Sequence, residues 1–225
     1  MTDNPITTLD LPICNCHLIR GEGGYLLVDG GAWFHWPWFI GALRKHSIEP
    51  ADIRWAVATH CHLDHVGVFA RLKELSPECQ IYAHAAEADW LREGRVVIPP
   101  TTWVTGHALA WLGWRTKWLL AFRAVTPDIR LHDEARLPAG APPGRIVPTP
   151  GHSSGSISVV LDSGHAFVGD LMANRRLTGY GIPIFHDSPP LMFEQWRMLL
   201  DAGVHTFHPG HGDAISADLL RTWLA

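Results

Sequence analysis

Apolar residues in the first 92 positions fall into short runs that glycine, proline and polar residues separate. Four runs are rich in aliphatic and β-branched residues and predict strands, at 13–19, 25–29, 54–59 and 80–84. Apolar positions three and four residues apart predict three helices, at 37–46, 66–75 and 85–92. Strands and helices therefore alternate, which indicates a layered α/β architecture.

The same pattern returns after position 127. Short apolar runs predict five further strands, at 128–131, 145–148, 157–161, 166–168 and 204–207. Helical periodicity marks 191–202, where Gly203 is a suitable C-terminal stop, and a last helix from the capping residue Ser216 to Leu224. The stretch 171–188 has no periodic apolar pattern and is predicted to be a long loop.

Residues 94–127 interrupt this pattern and are rich in tryptophan. Their aromatic residues recur at helical spacing along one stripe, at Trp111, Trp114, Trp118 and Phe122. Such a stripe fits a helix packed on the core, a helical cap whose indoles form a wall of a substrate pocket, or a dimer or membrane-surface contact. We expect one domain over 1–225, with 94–127 as a helical insertion or cap within it.

Composition and charge narrow the functional classes. The chain has 225 residues, 18% of them charged, and a formal net charge of −4, which provides no electrostatic reason to expect nucleic acid. No apolar run is long enough for a transmembrane helix, and no signal peptide is visible. The four cysteines form neither a CxxC zinc pattern nor a dense disulfide framework. We therefore expect a cytoplasmic protein with reduced thiols.

Six consecutive residues, 60–65, read His-Cys-His-Leu-Asp-His and directly follow the predicted strand at 54–59. Imidazole nitrogen and carboxylate oxygen are preferred ligands of divalent metals such as zinc. These spacings cannot converge from one face of a regular helix, but they can converge where a strand ends and the chain loops. We interpret the motif as part of a metal site.

Six residues cannot complete the coordination of one or two ions, so other segments must contribute ligands. Three later segments each place a histidine or aspartate beside glycine at a predicted strand end, at 149–155, 167–170 and 208–213. Glycine lets the backbone approach an ion closely. Their candidate ligands are His152, Asp170 and His211.

Taken together, these motifs resemble the metallo-β-lactamase fold superfamily of metal-dependent hydrolases, over nearly the whole chain except 94–127. The resemblance implies a four-layer αββα sandwich with two metal positions at one edge. It implies that the first ion is held by His60, His62 and His152, that the second is held by Asp64, His65 and His211, and that Asp170 bridges them. Two zinc ions suit these nitrogen and oxygen ligands best, with iron or manganese as alternatives.

The resemblance also implies a mechanism, in which a hydroxide bridging the two metals attacks a carbonyl carbon. Asp64 and Asp170 are the expected catalytic residues, with Asp64 able to accept and return a proton. Three further polar residues are candidates to orient ligand imidazoles from the outer shell, namely Asp29, His84 and Asp213. Cys61 lies between two ligands, but strand-like alternation should turn it toward the packed interior.

The aromatic loop at 33–38 and the tryptophan stripe suggest an apolar substrate pocket. We therefore expect the substrate to be a small-molecule ester, lactone or thioester with an apolar acyl or aromatic part. The residues expected to contact it are Trp33, His35, Trp36, Tyr180 and His186. A homodimer through the tryptophan-rich insertion is a further expectation.

Several other activities stay open. Asp170 argues against a true β-lactamase, since those enzymes usually place cysteine or serine there, and Ala173 stands where a lactonase would have tyrosine. The alternatives are β-lactam or phosphodiester hydrolysis at the same site, a mononuclear iron dioxygenase acting on persulfides, and a ligand-binding or sensor protein with little turnover.

Overall fold

The computed structural model describes residues 5–98, 100–101, 104–116, 121–175 and 179–225. The strands of this part of the chain are β1 (Ile6–Asp10), β2 (Asn15–Gly21), β3 (Gly24–Val28), β4 (Ile53–Val57), β5 (Gln80–His84), β6 (Ile129–Leu131), β7 (Ala135–Arg136), β8 (Gly144–Pro148), β9 (Ile157–Leu161), β10 (His165–Gly169), β11 (Ala173–Arg175), β12 (Gly179–Gly181), β13 (Thr206–Pro209) and β14 (Ile215–Ser216). Its α-helices are α1 (Trp36–Lys45), α2 (Leu63–Val66), α3 (Phe69–Leu75), α4 (Ala88–Glu93), α5 (Val104–Thr116), α6 (Pro189–Asp201) and α7 (Ala217–Leu224).

Two six-stranded sheets form the centre of the molecule. The first has the order β1-β2-β3-β4-β5-β6, antiparallel up to β3 and parallel from β3 to β6. The second has the order β14-β13-β10-β9-β8-β7, in which only the β10–β13 pair is parallel. Strands β11 and β12 form a separate small hairpin.

Alternation along the strands divides the buried side chains between two faces. Leu26 and Val28 of β3 lie in the apolar layer between the two sheets, together with Val159 of β9. Leu27, between them in sequence, faces the opposite side and packs with helical residues such as Phe69 of α3. The run Gly24–Val28 is apolar on both faces because both faces of its sheet are covered.

A separate apolar cluster covers the outer face of the second sheet. It contains Trp196 of α6 and Leu220 of α7, so these two helices pack on that face. The layers are therefore helix, sheet, sheet and helix, which confirms the predicted αββα sandwich. No helix of the described residues is long and apolar enough to cross a membrane.

Most predicted elements are present with shifted ends. The helix expected at 66–75 is present as α3 from Phe69, and a separate short helix, α2, was not predicted within the metal motif. The loop expected at 171–188 contains the β11–β12 hairpin. Strand β1 was not predicted, because its run Ile-Thr-Thr-Leu-Asp holds only two apolar residues, and it gains order from pairing with β2.

The tryptophan-rich segment contains helix α5, but only part of the predicted stripe lies on it. Trp111 and Trp114 are 61% and 66% exposed, so α5 does not bury these two indoles in the core. Phe122 is buried in the core, in a segment beyond α5 without regular secondary structure, so its expected position on a helical stripe is wrong. Trp118 lies outside the described residues, and the role of 94–127 as a cap stays a prediction.

Trp196 of α6 joins the helical layer to the strand end that carries Asp170. Its side chain is 1% exposed, and its indole Nε1 donates to the Leu171 carbonyl at 2.8 Å. We expect Trp196→Ala to lower the free energy of unfolding by about 3–5 kcal/mol, because it leaves a large cavity. Urea denaturation measures the change.

Trp38→Ala is the matched control, because this tryptophan is 56% exposed on α1. Its effect should stay within about 0.5 kcal/mol. Equal losses from both substitutions would contradict the packing described for α6.

Candidate metal centre

Four strand ends meet at one edge of the sandwich and bring the candidate ligands together. Residues 60–65 follow β4, and His152 follows β8 in the opposite sheet. Asp170 comes directly after β10, and His211 comes two residues after β13. Residues far apart in sequence therefore share one site because both sheets end there.

The side chains form three overlapping groups whose ligand atoms lie within 4.8 Å of one another. Each group contains histidine, and two of the groups contain a carboxylate. The groups are His60, His62 and His152; His60, His65 and Asp170; and Asp64, His65 and His211. The first and third groups coincide with the two ligand sets that the family resemblance implies.

Asp170 lies between these two sets. One of its carboxylate oxygens, Oδ2, is 3.3 Å from His211 Nε2 and 3.8 Å from His152 Nε2, and the other, Oδ1, is 3.4 Å from His65 Nε2. Asp64 lies on the open side of the centre, with Oδ2 3.5 Å from His211 Nε2. The Asp170 carboxylate is therefore within 3.8 Å of imidazole nitrogens from both sets.

Three polar atoms at the centre are buried and have no hydrogen-bond partner: His60 Nε2, His65 Nε2 and Asp170 Oδ1. A buried polar atom without a partner costs about 1–3 kcal/mol, so such atoms normally have a reason. All three belong to one of the groups described above. Their burial, closeness and donor chemistry fit divalent metal ions.

Outer partners occupy the Nδ1 atoms of four imidazoles and thereby turn Nε2 toward the centre. His65 Nδ1 lies 2.9 Å from Asp29 Oδ2, and His60 Nδ1 lies 3.1 Å from Thr59 Oγ1. His152 Nδ1 and His211 Nδ1 contact the backbone carbonyl oxygens of Phe185 and Ile13, at 2.9 and 2.6 Å. His62 differs, because its Nδ1 faces His152 Nε2 at 3.0 Å.

Asp29 is the central outer residue. Its Oδ1 accepts from the Thr59 backbone amide at 2.9 Å, and both of its oxygens accept from the Thr59 hydroxyl. It is buried, and its backbone has a φ of 61°, which is uncommon outside glycine and places the carboxylate under the metal motif. Asp29 thus occupies the outer position that the sequence predicted for it.

The other two outer-shell candidates have different surroundings in the structure. His84 Nδ1 accepts from the Ala86 amide at 3.2 Å, and Asp213 is exposed. Neither has a hydrogen bond to a candidate ligand among the described contacts. Sequence reasoning missed the Ile13 and Phe185 carbonyl groups, because backbone oxygens leave no signal in residue identity.

Protonation divides the imidazoles into two kinds. Burial lowers the pKa of His62 to about 3 and that of His152 to about 4, and it lowers the pKa of His60 well below the usual value. Burial opposes charge at His65 and His211 too, but neighbouring carboxylates, Asp170 first, raise the pKa of both. The first set is therefore neutral at pH 7, whereas the second favours protonated imidazole.

A family model described as the metallo-beta-lactamase superfamily matches residues 9–211. The chain belongs to the metallo-β-lactamase superfamily. Family membership and the named relatives below make it a metallo-hydrolase.

Relatives of this superfamily member include the acyl-coenzyme A thioesterase MBLAC2 of Bos taurus and of Homo sapiens. Each is 29% identical over 222 residues, covering 92% of this chain and 75% of the relative. The N-acyl homoserine lactonase AttM of Rhizobium radiobacter is 27% identical over 101 residues, covering 34% of this chain and 38% of the lactonase.

Solved structures share the fold at low identity. A metallo-β-lactamase family protein of Thermus thermophilus superposes with a TM-score of 0.70 at 21% identity, covering 98% of this chain and 78% of its own. A superfamily protein of Sulfolobus tokodaii gives a TM-score of 0.67 at 16% identity, covering 97% of this chain and 84% of its own.

The predicted substrate residues of this metallo-hydrolase differ in exposure. Trp33 is 43% exposed, whereas His35 and His186 are buried, and Trp36 packs partly against the core with Arg71 over its ring. His35 Nδ1 accepts from the Ala32 amide at 3.1 Å. Tyr180 belongs to β12, and its side chain is outside the described part of the structure. Of the four described side chains, Trp33 is the most open to a ligand.

Cys61 is buried, and burial raises the pKa of its thiol well above the usual value. A thiol that stays protonated is a poor nucleophile and a poor ligand. This environment supports the interpretation of Cys61 as a packing residue.

Zinc binding to the metal-free protein should release protons, because the raised pKa values of His65 and His211 favour bound protons near neutral pH. Apparent zinc affinity should therefore fall as the pH decreases from about 8 to about 6. Titration calorimetry in two buffers of different ionisation enthalpy measures the number of protons released.

Asp29→Asn provides the comparison. It removes a charge that raises the pKa of His65, so fewer protons should be released. A binding heat that does not depend on the buffer would contradict the expected protonation.

Proposed function

We propose that this metallo-hydrolase is a dinuclear enzyme that hydrolyses thioesters with a hydrophobic acyl part. The observation that supports two ions is the position of Asp170, with oxygens 3.3–3.8 Å from imidazole nitrogens of both candidate sets. The choice of thioesters follows the relatives, because the named thioesterase aligns with 92% of this chain and the named lactonase with 34%. Esters and lactones have the same carbonyl chemistry and are the next candidates.

The proposed ligands are His60, His62, His152, Asp64, His65, His211 and Asp170. Five imidazoles and two carboxylates, without a thiolate, suit two zinc ions best, with iron or manganese as alternatives. When bound, two such ions supply a water of lowered pKa as nucleophile and a Lewis acid for the carbonyl oxygen.

Asp64 is the proposed proton carrier. Its side chain is 26% exposed, whereas Asp170 is 10% exposed, so Asp64 is the more open carboxylate toward an entering substrate. Burial would raise its pKa, but His65 and His211 more than offset this effect and hold the pKa below its usual value. Asp64 is therefore ionised at neutral pH and can accept a proton from the nucleophile.

Asp170 has the proposed role of fixing the two halves of the centre. Its pKa is held well below the usual range, because the imidazoles of His211 and His65 outweigh the effect of burial. A carboxylate that stays ionised keeps both oxygens available as ligands. Trp196 supports its position through the hydrogen bond to the next residue, Leu171.

An apolar groove beside helix α5 is the proposed acyl site. Its volume is about 520 Å³, and it is lined by Ile98, Pro100, Ala110, Trp111, Trp114 and Arg115. The Arg115 guanidinium lies 4.9 Å from the centre of the Trp111 ring. This groove therefore combines an apolar surface with one cation, as an amphiphilic anionic substrate would require.

Pro100, which lines the groove, is connected to the candidate metal centre through the segment 183–187. The Pro100 carbonyl accepts from the His186 amide at 3.1 Å, and the neighbouring Phe185 carbonyl contacts His152 Nδ1 at 2.9 Å. The groove is thus one peptide segment away from a proposed ligand. A homodimer through the tryptophan-rich insertion at 94–127 stays a prediction, as does a cytoplasmic location.

Removal of metal should abolish hydrolysis of acyl thioesters, and added zinc should restore it.

Asp64→Asn should lower kcat by about 100-fold or more, because it removes the proton acceptor and weakens the second ligand set. Asp218→Asn, on an exposed residue of α7, is the matched control and should keep full activity. A fully metallated protein that is inert toward thioesters, esters and lactones would contradict the proposed function.

Replacement of both Trp111 and Trp114 by alanine should reduce activity selectively for long acyl chains. Each buried methylene contributes about 0.8 kcal/mol, so loss of contact with two methylenes corresponds to about tenfold in kcat/KM. The measurement compares kcat/KM for dodecanoyl and butanoyl thioesters.

Leu219→Ala, an exposed apolar residue on α7, is the control and should leave that ratio unchanged. Equal losses for short and long chains in the double tryptophan variant would contradict an acyl site in this groove.

A further inference from the structure

The three histidines of the first proposed metal set come from two different sheets. His60 and His62 follow β4 of the first sheet, whereas His152 follows β8 of the second sheet. Metal affinity depends steeply on ligand geometry, so these two loops must be held at a fixed separation. One backbone bond between the sheets helps, since the Ile157 amide donates to the Thr59 carbonyl at 2.7 Å.

Glu87 forms a second connection between the same loops. Its Oε2 accepts from the Cys61 amide at 2.7 Å, and its Oε1 accepts from the Gly155 amide at 2.9 Å. Cys61 lies between the two histidines of the first loop, and Gly155 is three residues after His152 in the second. One carboxylate therefore contacts both loops, with one oxygen for each.

The environment of Glu87 is unusual for a carboxylate. The residue is 0% exposed, and no salt bridge to it is found among the described residues. Burial raises its pKa, while the Ser153 hydroxyl and the Cys61 and Gly155 amides lower it. A buried carboxylate that accepts only from neutral donors has a high desolvation cost. The presence of Glu87 at this position therefore calls for a structural role.

Local sterics match this arrangement. A Cβ atom on Gly155 would come within 2.5 Å of Glu87 Cγ and 2.8 Å of Cδ, so only glycine allows the second loop to approach this closely. Two separate acceptor oxygens are also required. Glutamine offers a single acceptor and would direct an NH₂ group at one of the two amide donors.

We propose that Glu87 is a positioning residue that sets the geometry of the His60, His62 and His152 ligand set across the two sheets. The inference assumes the metal roles given above but does not depend on which bond the enzyme cleaves. Among the described residues, Glu87 has no hydrogen bond to His211 or its neighbours. Asp64 and His65 lie in α2, beyond the Cys61 amide that Glu87 contacts. Its effect is therefore confined to one of the two ions.

The test measures zinc retention in Glu87→Gln, with Glu78→Gln on an exposed residue as the matched control. Each protein is loaded with zinc, and the bound metal is counted while a competing chelator is increased. One of the two zinc equivalents of Glu87→Gln should leave at about 10–100-fold lower chelator concentration than in the wild type, as for other outer-shell substitutions. The other equivalent, and both in Glu78→Gln, should behave as in the wild type.

Two backgrounds assign the affected ion. With His211→Ala, which weakens the second set, Glu87→Gln should weaken the remaining zinc by the same factor, about 10–100-fold. With His152→Ala, which weakens the first set, Glu87→Gln should leave the remaining zinc unchanged.

The inference is overturned if folded Glu87→Gln keeps both equivalents like the wild type, or if both weaken equally. If Glu87→Gln does not fold, Ser153→Ala removes one of the stabilising donors and should weaken the same single equivalent, and no change in it overturns the inference. Zinc counting needs no substrate. A wild type that holds two equivalents but hydrolyses no thioester would therefore contradict the proposed function alone.

Discussion

The buried edge where the two sheets meet holds five imidazoles with few ways to satisfy their nitrogen atoms. Outer partners saturate Nδ1 of four of them, so the Nε2 atoms and the Asp170 oxygens face one another. Each buried nitrogen or oxygen atom without a hydrogen-bond partner costs about 1–3 kcal/mol in the folded protein. Packing of the surrounding layers must offset this cost. The fold therefore stabilises a centre that is unfavourable by itself, and a divalent cation is the partner whose chemistry relieves that cost.

That these residues meet at one candidate centre could be predicted from sequence, because their identities are unusual and their neighbours are glycines at strand ends, as at Gly169-Asp170 and Gly210-His211. Of the groups that orient these imidazoles, only Asp29 could be predicted. The Ile13 and Phe185 carbonyls act through the path of the backbone, which residue identity does not record. Glu87 was missed for a different reason, because a glutamate three residues after a strand usually lies in solvent.

The fold was predictable where local pattern and tertiary packing agree, as in β3, β4 and β9. Strand β1 and the β11–β12 hairpin depend on pairing that the local sequence does not signal. Helix periodicity was misleading at Phe122, because aromatic spacing continued beyond the helical backbone. The exposure of individual aromatic side chains could not be predicted from the sequence. Aromatic residues of one short segment divide between exposure, as for Trp33 and Trp38, and burial, as for Phe39.

The distribution of the proposed ligands along the chain has a consequence for biosynthesis. His60 and His211 are separated by 151 positions (211 minus 60), so at about 5–20 residues per second the ribosome needs roughly 8–30 s between them. During that interval the nascent chain presents the His60–His65 motif without its distant partners. High-affinity metal binding by the proposed ligands must therefore follow the docking of the second sheet onto the first, which makes metal binding a late step in the maturation of this enzyme.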